Sequence, residues 1–221
     1  MGENWARYIR GGEGLKIEFK RQCPKLLRLA KTFSAFSNSA GGHMFFGLED
    51  DGSYLGLEHL DGTRENVERV SQFHCDPPVN CEIHEWEPLP AIRILVVHIP
   101  EAQEKPVYAV NPQQHDDRWP FFRSDKENLP LDKKSLKTMR RLSSVSFDPE
   151  MLEGMDKHTR MILDRLNIQP RMTLAQVAKV GNISSHRAKK ILVGLEHQGW
   201  VHSFFNEKRR EFSLAIPWKK R

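Results

Sequence analysis

Cysteine is scarce in this chain, with Cys23, Cys75 and Cys81 the only three in 221 residues. So odd and sparse a set makes no disulfide scaffold, and the default compartment is a reducing cytoplasm. Long apolar runs are also missing. None approaches the ~20 residues of a membrane span, so no membrane partner is expected. The opening Met1-Gly2-Glu3-Asn4-Trp5 lacks the basic flank and apolar core of a secretion signal. No G-x-x-x-x-G-K-[ST] loop occurs, which leaves an ATPase without its phosphate cradle. No serine or cysteine stands in a nucleophile elbow. Internal repeats and low-complexity tracts are absent. With 29% charged and 38% hydrophobic residues, the composition suits a globular chain of one or two domains.

Charge is present but unevenly spread. Residues 151–221 carry 14 Lys/Arg against 6 Asp/Glu, a net +8, while residues 1–150 carry 20 against 23, a net −3. A basic module joined to a slightly acidic one points to a polyanionic partner for the last third.

The hydrophobic pattern divides the chain in the same way. Trp5–Arg10 reads as a short helix ended by Gly11-Gly12. Leu15–Lys20 alternates strictly, with Leu15, Ile17 and Phe19 on an apolar face and Lys16, Glu18 and Lys20 on a polar one, the period of a half-buried strand. Residues 24–39 have helical spacing and end at Gly41-Gly42, where the chain can turn and pass close to the next strand. Short strands are expected at Met44–Leu48 and Tyr54–Leu57, around the turn Glu49-Asp50-Asp51-Gly52. A helix is expected at Thr63–Cys75, capped by Asp61 or Thr63, followed by strands at Asn80–Glu87 and Ala91–His98. In the proline-punctuated stretch 101–130, Phe121-Phe122-Arg123 reads as a last strand, and Leu131–Leu142 as a closing helix. The expected organisation is a domain over residues 1–142, a linker over 143–150 and a second domain over 151–221.

The last 71 residues hold the clearest local pattern. Lys157–Asn167 is amphipathic, Leu174–Lys179 follows Thr173, and Ser184-Ser185 can cap a helix over His186–His197. On that helix Ala188, Ile191, Leu192 and Leu195 form one buried stripe, while Arg187, Lys189 and Lys190 fall off it. Trp200–Phe205 and Glu211–Leu214 flank a basic tip, Asn206-Glu207-Lys208-Arg209-Arg210. Three helices followed by a basic hairpin resemble a winged helix-turn-helix, in which the third helix enters the major groove and the wing meets backbone. Arg187, Lys189, Lys190, Lys208, Arg209 and Arg210 are then the candidates for phosphate and groove contact. The plainer reading is a winged helix used for protein contacts. Trp218–Arg221 reads as a solvated tail.

The first 140 residues carry a family resemblance. Glu13-Gly14-Leu15-Lys16-Ile17-Glu18-Phe19-Lys20, then Phe33-Ser34-Ala35-Phe36-Ser37-Asn38-Ser39-Ala40-Gly41-Gly42, then Phe46-Gly47-Leu48-Glu49-Asp50-Asp51-Gly52 with Gly56, resemble the Schlafen/Alba-type domain in that order. Phe122-Arg123 is similar to the family's later strand ending in arginine, which adds Arg123 to the nucleic-acid candidates. The resemblance implies an α+β fold with a mixed sheet and packed helices, and action on nucleic acid. In Schlafen relatives that cut RNA, three carboxylates form the site, and Glu13, Glu18 and Asp50 match them, with Glu49 as the alternative third. Such a set holds Mg²⁺ or Mn²⁺ for phosphodiester hydrolysis, and Lys20 would neutralise developing charge. The other reading makes Glu13 and Glu18 surface acids balanced by lysines.

Two further constellations are weaker. His74, Cys75, Cys81, Cys23 and His84 invite zinc, but their spacing fits no C-x₂-C pattern, so buried thiols are expected. His115-Asp116-Asp117 reads as solvated. Trp119, Phe121 and Phe122 have the chemistry to stack bases, with core packing the alternative. The first reading is therefore a DNA-binding, transcription-regulator-like protein that needs no cofactor. A metal-dependent endoribonuclease is the alternative, and a protein-binding scaffold the third. Its partner is DNA or RNA, and a homodimer on paired half-sites fits the winged helix.

Overall fold

The alternation before residue 21 does form a strand, β1 (Ile17–Lys20), at the edge of a four-stranded sheet. The computed structural model describes residues 4–142, 155–206, 209–216 and 218. These fall into two compact units, Met1–Pro130 and Leu131–Arg221.

In the first unit β1 pairs in parallel with β2 (Gly42–Phe46), and the helix α2 (Leu26–Asn38) makes the crossover that parallel pairing requires. β2 pairs antiparallel with β5 (Ile92–Ile99), and β5 with β4 (Glu82–Leu89). Gly41 and Gly42 permit the return from α2. Gly41 sits at φ +66°, and a Cβ on Gly42 would strike the Phe36 ring and the Lys16 carbonyl. On one face of this sheet Phe19, Phe45, Ile94 and Val96 pack with Trp5 of the short helix α1 (Trp5–Ile9). On the other, Met44, Phe46, Leu95 and Val97 meet α2 and α3 (Leu60–Phe73).

A second, antiparallel sheet covers the far side of α2. It runs β3 (Cys75–Asp76), β6 (Tyr108–Asn111), β7 (Gln114–Ser124), β8 (Glu127–Pro130). Only β7 corresponds to a strand expected from the sequence, because β3, β6 and β8 are too short for periodicity to register. α2 is thus covered on both sides, and its polar residues become internal ligands for the second sheet. Asn38, 1% exposed, donates from Nδ2 to the Val107 and Phe121 carbonyls at 2.8 and 2.9 Å and accepts from Val107 N at 2.7 Å. Ser34 Oγ donates to Val107 O at 2.8 Å and accepts from Phe121 N at 2.9 Å.

Other details differ from expectation. Tyr54–Leu57 is no strand; Tyr54 makes one isolated bridge to Leu48. Neither Asp61 nor Thr63 caps α3, which begins at Leu60 after His59, and Thr63 instead donates to the His59 carbonyl.

The second unit opens with α4 (Lys133–Leu142), which in the sequence reads as closing the first domain. Its Ser135 hydroxyl donates to the Ser203 carbonyl. The expected linker 143–150 lies outside the described residues. α5 (Lys157–Ile168) starts on Asp156, whose carboxylate accepts from the His158 and Thr159 amides. β9 (Met172–Thr173) leads into α6 (Leu174–Gly181), which starts with a reciprocal Thr173–Gln176 capping box. Asn182, at φ 46°, takes the left-handed turn that ends α6. α7 (Ser185–His197) is capped by Ser184, the first of the two serines expected there. β10 (Val201–Asn206) and β11 (Arg209–Leu214) form the hairpin, and β11 also pairs with β9, a pairing that periodicity does not reveal. This helix–strand–helix–helix–hairpin order is a winged helix, and the fold class is α+β as expected. Trp218 is no free tail: its Nε1 donates to Asp164 at 2.8 Å, and its ring stands edge-on to Trp200. Among the described residues no helix is long and apolar enough to cross a membrane.

Two stability measurements test this architecture. Asn38→Ala strands the Phe121 carbonyl and the Val107 amide in a dry interior, while Ser34 still serves the Val107 carbonyl; urea denaturation should show a loss of about 2–4 kcal/mol, and a loss near zero would mean that water replaces the side chain. The second concerns the end of the first sheet, where His43 stacks on His98 at 4.7 Å and also touches Trp5 and Tyr8. Burial first, then the charges of His98, Lys16 and His84 against an opposing Glu82, bring His43 down to about 4. A histidine held neutral in the fold but free to protonate when unfolded contributes stability that is complete above about pH 6.5 and declines as pH falls toward about 4. The urea midpoint should fall across that window, and His43→Gln should flatten the fall.

Candidate nucleic-acid interface and the buried carboxylates

The polar face of β1 points toward α2, so Glu18 is inside the protein, 6% exposed. Its two oxygens are each taken by a cation, Oε1 by Lys20 and Oε2 by the Arg123 guanidinium. Arg123 on β7 is 0% exposed. Its Nε donates to the Gly14 carbonyl at 3.0 Å, one terminal nitrogen to Asn128 Oδ1 at 2.9 Å and the other to Ile17 O at 3.3 Å. Its flat side lies 4.9 Å from the Phe36 ring centroid. Asn128 in turn donates to Thr32 at 2.8 Å. Each nitrogen of the guanidinium has an acceptor, as a charge in a dry interior requires.

This placement corrects one candidate and gives each of the others a definite environment. Arg123 stands among the expected nucleic-acid contacts, yet its side chain is enclosed and cannot reach a phosphate. Glu13 accepts from the Phe19 amide at 2.8 Å and so braces the loop before β1. Asp50 is exposed on its turn, while Glu49 pairs with Arg21 at 3.1 Å. Lys20 is held by Glu18 and by the Phe19 carbonyl at 2.8 Å. Among the described residues, no three of His, Cys, Asp and Glu come together in a way that would hold a metal ion. Glu13, Glu18 and Asp50 therefore do not fit a divalent cation as they stand, since Glu18 is already neutralised twice. Cys75 is buried in the core, with Cys23 and Cys81 packed against the same cluster. Burial, and then the neighbouring Cys81, pushes the Cys75 thiol up to about 12.

The second unit presents its cations outward. Arg187, Lys189 and Lys190 are exposed on α7, on either side of the buried stripe Ala188, Leu192 and Leu195. His186, also exposed, lies one turn before Lys189 on the same helical face. Charge and periodicity alone pass over it, although a polar residue just after a serine cap is in position to meet base edges. On the hairpin Arg209 is exposed, and Lys208 lies outside the described residues. Arg210 differs from both. Its guanidinium donates to Glu196 at 3.2 and 3.4 Å and also bonds the Ser203 hydroxyl, so it ties the wing to the end of α7 rather than facing solvent. Glu196 itself is 6% exposed and accepts from Ser203.

The Schlafen, AlbA_2 family model matches residues 13–132, more than half of the chain. The chain belongs to the Schlafen AlbA_2 family. The matched segment begins at the loop-bracing Glu13 and ends two residues beyond the first unit. Membership points to nucleic-acid binding. No characterised protein sequence matches closely enough to count as a relative. Among solved structures, the chain is similar to a MarR family transcriptional regulator from Silicibacter pomeroyi at 17% identity and TM-score 0.28, over 35% of this chain and 53% of that one. It is also similar to the DIP2311 protein from Corynebacterium diphtheriae at 17% identity and TM-score 0.40, over 68% of this chain and 33% of that one. The chain thus spans about half and about a third of these two proteins, and neither likeness extends to function.

The buried pair is open to a direct test. Glu18→Ala leaves the Arg123 guanidinium without its main counter-charge and should cost about 3–5 kcal/mol in urea denaturation. Glu18→Met combined with Arg123→Met should recover most of that loss, because the desolvation penalty disappears together with the pair. A double variant as unstable as the single one would show that the carboxylate acts through something other than Arg123.

Proposed function

We propose that this Schlafen AlbA_2 protein is a DNA-binding, transcription-regulator-like protein whose winged helix makes the sequence-reading contact. The carrying observation is the exposed cationic surface of α7 and the wing, on a unit whose basic excess is +8 over residues 151–221. In this reading the start of α7 enters the major groove, where His186 and Arg187 meet base edges, while Lys189, Lys190 and Arg209 neutralise phosphates. The Glu196–Arg210–Ser203 cluster supports it by holding the wing against α7. Pairing of two copies on a two-fold-related site belongs to the same proposal. The endoribonuclease reading has less support, because the carboxylate it needs most, Glu18, is engaged by Lys20 and Arg123.

The test is duplex binding by fluorescence anisotropy across a salt series, with Mn²⁺ lanes run on a denaturing gel beside it. The wild type should bind with a steep negative slope of log affinity on log salt. Lys189→Gln with Lys190→Gln should weaken binding and reduce the slope by about 1.8, or ~0.9 for each phosphate no longer neutralised. Duplex affinity unchanged by that pair would remove α7 from the interface and favour the protein-binding scaffold. Mn²⁺-dependent cleavage abolished in Glu18→Gln would restore the nuclease.

A further inference from the structure

The first unit has a second cationic surface, and it carries an exposed aromatic. Residues 16–31 hold six Lys/Arg, namely Lys16, Lys20, Arg21, Lys25, Arg28 and Lys31, against one acid, Glu18, which is buried. Lys20 and Arg21 are taken up by Glu18 and Glu49. Lys25, Arg28 and Lys31 are exposed around the start of α2, and among the described residues none of them has an acidic partner. With exposed Leu27 they occupy the one part of α2 that reaches solvent, since Thr32 to Ser39 are all buried.

The face of α2 that carries Lys31, Ser34 and Asn38 meets β7 at Phe121. Ser34 and Asn38 bond Phe121, and Ser39 Oγ accepts from Arg123 N at 2.9 Å. Lys31 Nζ stands 5.4 Å from the Phe121 ring centroid. Trp119 is two residues back, on the same face of the strand and about 7 Å away at ~3.3 Å per residue. Of the three aromatics in this strand, Phe121 is 8% exposed and Phe122 0%, but Trp119 is 57% exposed. Its one polar atom is satisfied, since Nε1 donates to Asp117 at 3.1 Å, and that carboxylate is turned to the indole.

We propose that Lys25, Arg28, Lys31 and Trp119 form a binding surface for single-stranded nucleic acid, separate from the duplex-reading helix of the second unit. The cations track the phosphates, and the indole gives an unpaired base a face to stack on, which is the pairing that sequence-tolerant single-strand binders use. An acidic peptide would satisfy the charges but leave a large exposed indole without a matching π-face. A duplex would offer phosphates but keep its bases stacked on one another. The proposal rests on the nucleic-acid reading above, but it assigns a different substrate to a different surface.

Full-length protein is titrated against fluorescein-labelled oligothymidylate and oligouridylate of about fifteen nucleotides, near the upper site size of one binding module, and separately against a duplex. Trp119→Ala should weaken single-strand binding by about 5- to 150-fold, the effect of removing one stacking partner, with duplex affinity retained. Trp119→Phe should keep most of the affinity. Arg28→Gln with Lys31→Gln should lower the single-strand salt slope by about 1.4, at ~0.7 per phosphate. The two oligonucleotides decide whether the strand is DNA or RNA. Single-strand affinity unchanged in both Trp119→Ala and the charge pair overturns the proposal. So does a wild type that binds duplex but no single strand, which leaves the winged-helix reading standing. Binding to neither would overturn both.

Discussion

Burying a guanidinium with no water around it is costly unless every donor finds an acceptor and the charge finds a counter-charge. Arg123 meets that demand with groups drawn from across the first unit. It takes carbonyls from the loop before β1 and from β1, a carboxylate from β1 itself, an amide oxygen from β8 and the flat face of an α2 ring. Moving Glu18 would leave the charge unpaired, and moving any of the other acceptors would leave a buried N–H without its partner. The edge strand β1, which has a neighbour on one side only, is therefore fixed from its other face by an ion pair rather than by hydrophobic packing alone.

That demand also limits what Glu18 can do. A carboxylate neutralised by Lys20 and Arg123 has little remaining charge to offer a metal ion, and Glu13 beside it is turned to a backbone amide. The second unit repeats the device on a smaller scale: Glu196, nearly buried, gathers Arg210 and Ser203 and secures the wing. In both units a buried acid engages basic side chains of its own unit. Cations without such a partner, Arg28 and Lys31 in one unit and Lys189 and Lys190 in the other, remain at the surface, where a polyanion can meet them. Interaction with nucleic acid then follows from which cations are left over, not from how many the chain contains.

Much of this is legible in the residue order where structure is local. The helices from Lys157 onward follow from capping residues and a 3.6-residue apolar stripe, both encoded within a dozen positions. The β1–α2–β2 unit follows from alternation, helical spacing and Gly41-Gly42. Strands of two to four residues such as β3, β8 and β9 are not legible, because they are defined by their distant partners and are too short to show a period. Trp218 misleads for the same reason: a terminal tryptophan looks like a solvated tail until Asp164 and Trp200 are brought beside it.

By itself, then, the sequence determined the class of the fold, the existence of a basic winged helix and the set of residues from which any site must be drawn. Only the tertiary structure decided which of those residues face water. Glu18 and Arg123 are 105 positions apart and look like surface charges on two separate strands. They lie inside because α2 and the second sheet cover that side of β1. Trp119 and Phe121 are two positions apart on one strand face, yet one is exposed and the other covered, because α2 extends over Phe121 and leaves the indole clear. Period and composition record what a side chain is, whereas exposure depends on what the rest of the chain places on top of it, and that information is nonlocal.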